Sequence, residues 1–148
     1  MSWKSEFFGP ELLTKEGVQP TEQALAGKTR IGIYFSAHWC PPCRGFTPVL
    51  SEFFEQLEEE DASALQIIFV SSDNDDASFT SYYGSMPWMA VPFAATDKIQ
   101  ALNTKFEVRG IPSFVVLDAA DGSVKDADAR TTVAAAKGVT SKATARWD

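Results

Sequence analysis

The chain of 148 residues contains two cysteines, and both lie in one short stretch, Trp39-Cys40-Pro41-Pro42-Cys43-Arg44. The flanks make that stretch a junction. Before it, Arg30-Ile31-Gly32-Ile33-Tyr34-Phe35 is rich in β-branched and aromatic residues, the pattern of a short buried strand. After it, Phe46, Val49, Leu50, Phe53, Phe54 and Leu57 recur at helical spacing and mark one apolar face of a helix that runs to about Glu60. A thiol pair is thus expected where a strand hands over to a helix N-terminus.

That placement has chemical consequences. The first turn of a helix has unpaired N–H groups and the positive end of the helix dipole, so it stabilises an anion. A thiolate there is favoured over the free thiol, whose ordinary pKa is about 8.5. Cys40, at or before the first turn, is expected to be the nucleophile. Cys43, one turn inside and more buried, is expected to resolve the mixed disulfide that Cys40 forms with a substrate. Pro41 and Pro42 fix two φ angles and stiffen the turn. Arg44 adds positive charge or points to solvent. Two rival readings remain. One is half of a zinc site, which needs four ligands when closed and finds only His38 and carboxylates here. The other is an inert disulfide, although so short a loop removes little unfolded-state entropy.

The rest of the chain reads as an α/β domain. Residues 1–28 are irregular, with Phe7-Phe8 and Leu12-Leu13 as anchors for a short helix or hairpin. Pro48 predicts a kink near residues 44–48. Leu65 to Val70 is a near-continuous apolar run, which suits a central strand covered on both faces. Ser71-Ser72-Asp73 ends it. Asp75 or Asp76 caps a helix that carries Phe79, Tyr82 and Tyr83 and stops at Gly84. Met86 to Phe93 is a proline-bracketed apolar connector. Thr96 or Asp97 caps a further helix with Ile99, Leu102 and Phe106 on its buried face. Ser113 to Asp118 is a strand, and Asp121-Gly122 turns the chain into an antiparallel edge strand over 123–126. The tail after Arg130 is a weak helix or frayed. Strands that alternate with helices imply a sheet covered on both faces. One domain is expected over 1–148, with a core of about 26–130, an N-terminal extension over 1–25 and a variable tail over 131–148.

The net charge of −7 argues against nucleic acid and anionic membranes, which select clustered Lys and Arg, and is compatible with a cationic small partner. No apolar run approaches the roughly 20 residues of a membrane span. Met1-Ser2-Trp3-Lys4-Ser5-Glu6 lacks the features of a secretory signal. The expectation is a cytoplasmic monomer.

The segment Phe35-Ser36-Ala37-His38-Trp39-Cys40-Pro41-Pro42-Cys43-Arg44-Gly45-Phe46-Thr47-Pro48 resembles the tryparedoxin/nucleoredoxin branch of the thioredoxin superfamily. Three further blocks match it: Val70-Ser71-Ser72-Asp73, Met86-Pro87-Trp88-Met89-Ala90-Val91-Pro92-Phe93, and Gly110-Ile111-Pro112-Ser113. Plain thioredoxins carry Gly-Pro between the cysteines, whereas this branch carries Pro-Pro. The likeness covers about residues 26–130.

The resemblance implies a thioredoxin-like mixed sheet with helices on both faces. It implies a cis peptide before Pro112, with Ile111 offering backbone groups to a bound substrate in the manner of strand addition. Trp39 becomes a rim that shields the cysteines, or else a partly buried core indole; Trp88 has the same two readings. Where thioredoxins have a buried aspartate, six residues before the first cysteine, this chain has Tyr34. Proton relay then runs through Tyr34, Asp73 or water, and the other reading of Tyr34 is core packing. Asp73 falls where the family links an acidic residue to proton handling or to a polyamine, and its other reading is a helix cap. Arg130 falls where the family has an arginine that reaches the bound thiol. His38 is the residue most like nucleoredoxins, and stands as a solvated loop histidine or a charge beside the thiolate. Lys137-Gly138-Val139-Thr140 and Arg146-Trp147-Asp148 depart from the family's tail.

The implied activity is that of a protein-disulfide reductase. It would take electrons from a low-molecular-weight dithiol such as trypanothione, from glutathione or from a reductase, and pass them to protein disulfides such as those of a peroxiredoxin-type peroxidase. It would use no cofactor beyond a redox-active Cys40–Cys43 disulfide. The alternative is a nucleoredoxin-like redox sensor whose thiol state controls a binding partner.

Overall fold

Strand β3 (Arg30–Ser36) lies near the middle of a seven-stranded sheet in a computed structural model that describes residues 2–148. On one side β3 pairs in parallel with β4 (Gln66–Ser71), and on the other it pairs antiparallel with β6 (Ser113–Asp118). All three strands are almost wholly buried, as their continuous apolar runs require. The edge strand β7 (Val124–Asp126) pairs antiparallel with β6, as the Asp121-Gly122 turn predicts. Between β3 and β6 the fit is close. A Cβ added to Gly32 would meet the Phe114 ring at 2.6 Å, so the glycine leaves room for that ring.

The two faces carry separate apolar clusters. On one, the helix α3 (Pro41–Glu60) packs Phe46, Leu50, Phe53 and Leu57 against Tyr34, Phe69 and Phe114. On the other, α1 (Trp3–Phe8) and α5 (Thr96–Lys105) cover Ile31, Ile33, Ile68, Val115 and Leu117. The thioredoxin-like mixed sheet with helices on both faces is therefore present. Helix α3 is one run of helix through Pro48. Val49, expected on its buried face, is 45% exposed. Thr47 takes the inward position instead, because the stripe that faces the sheet is 43, 46, 47, 50, 53, 54 and 57.

Other elements differ from expectation. Residues 2–28 are largely regular structure. After α1 come a hairpin of β1 (Glu11–Thr14) and β2 (Gly17–Pro20) and the short α2 (Thr21–Ala24). The hairpin joins the sheet through Leu13, which pairs with Ala90 in β5 (Met89–Ala90), a two-residue strand within the apolar connector. Lys15 pins it from the side, donating to the Tyr83 carbonyl at 2.7 Å with its ammonium over the Tyr83 ring. Helix α4 (Asp76–Tyr83) is capped by Asp75, whose carboxylate accepts the Ser78 N–H. Helix α5, by contrast, is not capped by Thr96 or Asp97: its N-cap is Ala95, which has no side-chain acceptor to offer. The chain ends in α6 (Ala129–Ala136) and α7 (Thr140–Trp147). Trp147 is buried against Phe53, and its indole N–H donates to the buried Asp126 carboxylate at 3.0 Å. Among the described residues no helix is long and apolar enough to cross a membrane.

Candidate active site

Four residues, Ala37 to Cys40, separate the end of β3 from the start of α3. Cys40 is the N-cap, and its sulfur accepts the Cys43 N–H at 3.3 Å. The two prolines explain why that contact is the one made. An N-cap side chain takes the N–H of the second or third helical residue. Pro41 and Pro42 occupy the first two positions and have no N–H to give, so the donor of Cys43 is the first one available. The prolines are exposed, while Cys43 is wholly buried and Cys40 is 4% exposed. The sulfurs form a Cys40–Cys43 disulfide.

The Ile111–Pro112 peptide is cis, and the Ile111 carbonyl oxygen lies 3.7 Å from the Cys40 sulfur. A disulfide sulfur has no proton, so this is a contact; the reduced thiol has one to donate there. Arg130, at the start of α6, approaches the same loop. Its guanidinium is 3.4 Å from the Pro112 carbonyl and 6.0 Å from the Phe46 ring centre.

On the other side of the disulfide, Trp39 is 56% exposed and donates its indole N–H to the Ser72 carbonyl at 3.0 Å. It is a rim residue. Trp88, at 1% exposure, belongs to the core, where its ring meets Tyr34 and Phe54 edge-on. Asp73 is buried, and both of its oxygens are engaged: one accepts the His38 N–H at 2.7 Å and the other the Ser71 hydroxyl at 2.7 Å. The carboxylate thus ties the tip of β4 to the turn that presents Cys40. A groove of about 280 Å³ runs between Trp39, Arg44, Asp73 and Asp75. Arg44 and His38 are exposed, and the His38 ring stacks on Tyr82 at 5.1 Å.

Tyr34 lies beneath the pair, fully buried, with its hydroxyl 2.7 Å from Thr47 Oγ1. Burial pushes its phenol well above its ordinary pKa. It keeps its proton at neutral pH and acts as a hydrogen-bond donor. Thr47 donates to the Cys43 carbonyl at 2.9 Å and touches the Tyr82 hydroxyl at 2.6 Å. Thr47, Tyr82, Ser36 and Ser71 are site neighbours that the sequence reading did not single out. The available signal was a lone hydroxyl, Thr47, one turn after Cys43 on an apolar helix face. Cys40, Cys43, Trp39, Pro41, Pro42, Ile111, Pro112 and Arg130 all come together around the disulfide; Tyr34 and Asp73 support it from below and from one side.

A thioredoxin-like family model matches residues 27–124. A tryparedoxin of Trypanosoma brucei brucei is 42% identical over 122 residues, 82% of either chain. A probable nucleoredoxin 1 of Arabidopsis thaliana is 48% identical over 106 residues, 72% of this chain but only 18% of that protein. Among solved structures, a tryparedoxin II complexed with glutathionylspermidine superposes with a TM-score of 0.83 at 34% identity, covering 90% of this chain and 92% of that one.

Proposed function

The chain belongs to the thioredoxin-like family, as a dithiol oxidoreductase of its tryparedoxin and nucleoredoxin branch, and we propose that it carries reducing equivalents from a low-molecular-weight dithiol to protein disulfides, those of a peroxiredoxin-type peroxidase among them. The observation that carries this reading is the Cys40 sulfur, which caps a helix and faces the backbone of Ile111. A thiolate in that position accepts the Cys43 N–H as a charge-assisted bond.

The steps balance as follows. The Cys40 thiolate attacks one sulfur of the substrate disulfide, forms a mixed disulfide and expels the other substrate sulfur as a thiolate, which takes a proton. Cys43 loses its proton and attacks the Cys40 sulfur. The second substrate thiolate leaves, and the Cys40–Cys43 disulfide closes. The substrate gains two electrons and the dithiol loses two. A small dithiol reverses the sequence on the protein and leaves as its own disulfide. The net charge of −7 favours a cationic reductant, and glutathionylspermidine, the ligand of the solved tryparedoxin II, has a polyamine arm of that kind.

In this reading Trp39 is the rim against which the client packs, Ile111 and Pro112 present backbone to it, and Arg130 meets the bound thiol. Tyr34 and Asp73 support the turn. The protein works as a cytoplasmic monomer with no cofactor beyond its own disulfide. The identity to a nucleoredoxin favours one second reading, a redox sensor whose thiol state governs a binding partner.

One experiment separates the two. Cys43→Ser halts the reaction at the mixed disulfide through Cys40, so clients are recovered covalently from the source cell. A peroxidase as the main adduct supports the carrier. Absence of any adduct, with partner binding that follows the oxidation state of the Cys40–Cys43 pair, would overturn it in favour of the sensor. Insulin reduction driven in parallel by trypanothione, glutathione or thioredoxin reductase identifies the reductant.

A further inference from the structure

Beneath the disulfide lies a set of four linked hydroxyls, those of Thr47, Tyr34, Tyr82 and Ser36. Thr47 has one hydroxyl proton, and it goes to the Cys43 carbonyl at 2.9 Å, the usual back-bond of a helical threonine. Thr47 Oγ1 is then left with two lone pairs. The Tyr34 hydroxyl at 2.7 Å and the Tyr82 hydroxyl at 2.6 Å are both placed to donate into them, and the Tyr34 hydroxyl also lies 3.5 Å from the Cys43 carbonyl. The Tyr82 hydroxyl is also hydrogen-bonded to the Ser36 hydroxyl at 2.6 Å. All four residues are buried.

Tyr82 is the member that joins the two halves of the site. It comes from α4, outside the strand–turn–helix that carries the cysteines. Through Thr47 its hydroxyl fixes the turn of α3 that bears Cys43. Through Ser36 it fixes the end of β3. Its ring supports His38, two residues before Cys40, at 5.1 Å and nearly parallel. The two cysteines are therefore held toward each other by a residue that touches neither sulfur.

We propose that Tyr82 is a positioning residue for the dithiol, whose hydroxyl, working through Thr47 and Ser36, favours the closed Cys40–Cys43 disulfide over the open dithiol. The inference rests on the thiol–disulfide reading above and adds to it a residue that neither the motif nor the family resemblance supplies. In the closed state the Cys43 turn and the β3 end must keep a fixed separation; in the open state the sulfurs are free to move apart. Buried hydroxyl networks have rigid geometry when fully satisfied, so the network supports the state that needs the fixed separation.

The test is the equilibrium between the protein and glutathione redox buffers, with both forms trapped by alkylation and counted by mass. Tyr82→Phe keeps the ring, its volume and its stacking on His38, but removes the hydroxyl that links Ser36 to Thr47. The equilibrium constant for disulfide formation is expected to fall roughly three- to tenfold, the size of one lost buried hydrogen bond. Thr47→Val, which removes the same junction from the other end, is expected to match it, and Thr47→Ser to restore the wild-type value. A purely structural tyrosine would weaken the oxidised and reduced proteins equally and leave the constant within twofold of wild type. That result for both Tyr82→Phe and Thr47→Val overturns the proposal. If Tyr82→Phe does not fold, the Thr47 pair decides alone. No client enters the measurement. A wild-type protein that forms no disulfide at any glutathione ratio would refute the dithiol reading itself, which is a separate outcome.

Discussion

The Cys40 sulfur stands 3.7 Å from the carbonyl oxygen of Ile111, a residue 71 positions further along the chain. The turn that carries Cys40 and the cis-proline loop are brought together by pairing β3 with β6, because Cys40 follows one strand and Ile111 precedes the other. In the proposed reading, an extended client that hydrogen-bonds to the backbone at Ile111 would lay its own disulfide beside Cys40.

In the proposed reading Trp39 adds side-chain area for a docked client while contributing little to the fold. Its indole is more than half exposed and makes one hydrogen bond. Trp39→Ala is expected to change stability by less than about 1 kcal/mol and to raise the KM for a protein disulfide several-fold, since exposed tryptophans that become covered on binding are frequent anchors. Chemical denaturation and insulin-reduction kinetics check the two halves. A large loss of stability with KM unchanged would make Trp39 a core residue.

Asp73 can be assigned by comparing two substitutions. Its oxygens accept from the His38 N–H and the Ser71 hydroxyl. An asparagine still accepts the first and can repair the second, because the Ser71 hydroxyl can rotate; an alanine does neither. If Asp73 braces the turn, Asp73→Asn is expected to keep activity within about threefold and Asp73→Ala to lose about tenfold or more, in line with a lost hydrogen bond to a charged group. If it carries protons, both variants fail together and the pH–rate profile loses a limb.

Asp126 predicts how stability depends on pH. Its side chain is 1% exposed. Burial alone raises its pKa, but the Thr132 hydroxyl, the Trp147 indole, the Asp128 N–H and the Arg146 guanidinium together outweigh that and hold the carboxyl below its ordinary value. A folded pKa below the unfolded value of about 3.9 stabilises the protein above that pH, and the contribution is lost as pH falls through the folded value. Asp126→Ala is expected to cost about 3 kcal/mol at neutral pH, because it leaves buried donors of Trp147 and Thr132 unpaired. It should also flatten the acid limb of stability against pH. Denaturant titrations of both proteins from pH 7 down to about pH 3 measure this.

The same residue shows where sequence reading stops. Strands β3, β4 and β6 were legible because buried strands need continuous apolar runs, and α3 because its apolar spacing is long. The hairpin of β1 and β2 was only one of two options for Leu12-Leu13. Gly17-Val18-Gln19-Pro20 has no alternation, and the hairpin is held by distant partners, Ala90 and Tyr83. The tail reads as weak helix because its anchors, Asp126 for Trp147 and Phe53 for its ring, lie far off in the chain. In the site, Cys40 and Cys43 stood out by residue type and spacing, while the role of Trp39 came from family likeness. The cis peptide, Ile111 and Arg130 came from family likeness. Tyr82 was legible only as a core aromatic, since its meeting with Thr47 and Ser36 depends on how α4 packs.

The central claim is the order of attack: Cys40 first, Cys43 second. Reducing the protein, treating it at pH 7 with one equivalent of iodoacetamide and mapping the label by peptide mass spectrometry tests it most directly. The geometry predicts nearly all of the label on Cys40, which caps the helix, and almost none on Cys43, which is fully enclosed. Label shared equally, or found mainly on Cys43, would contradict the account.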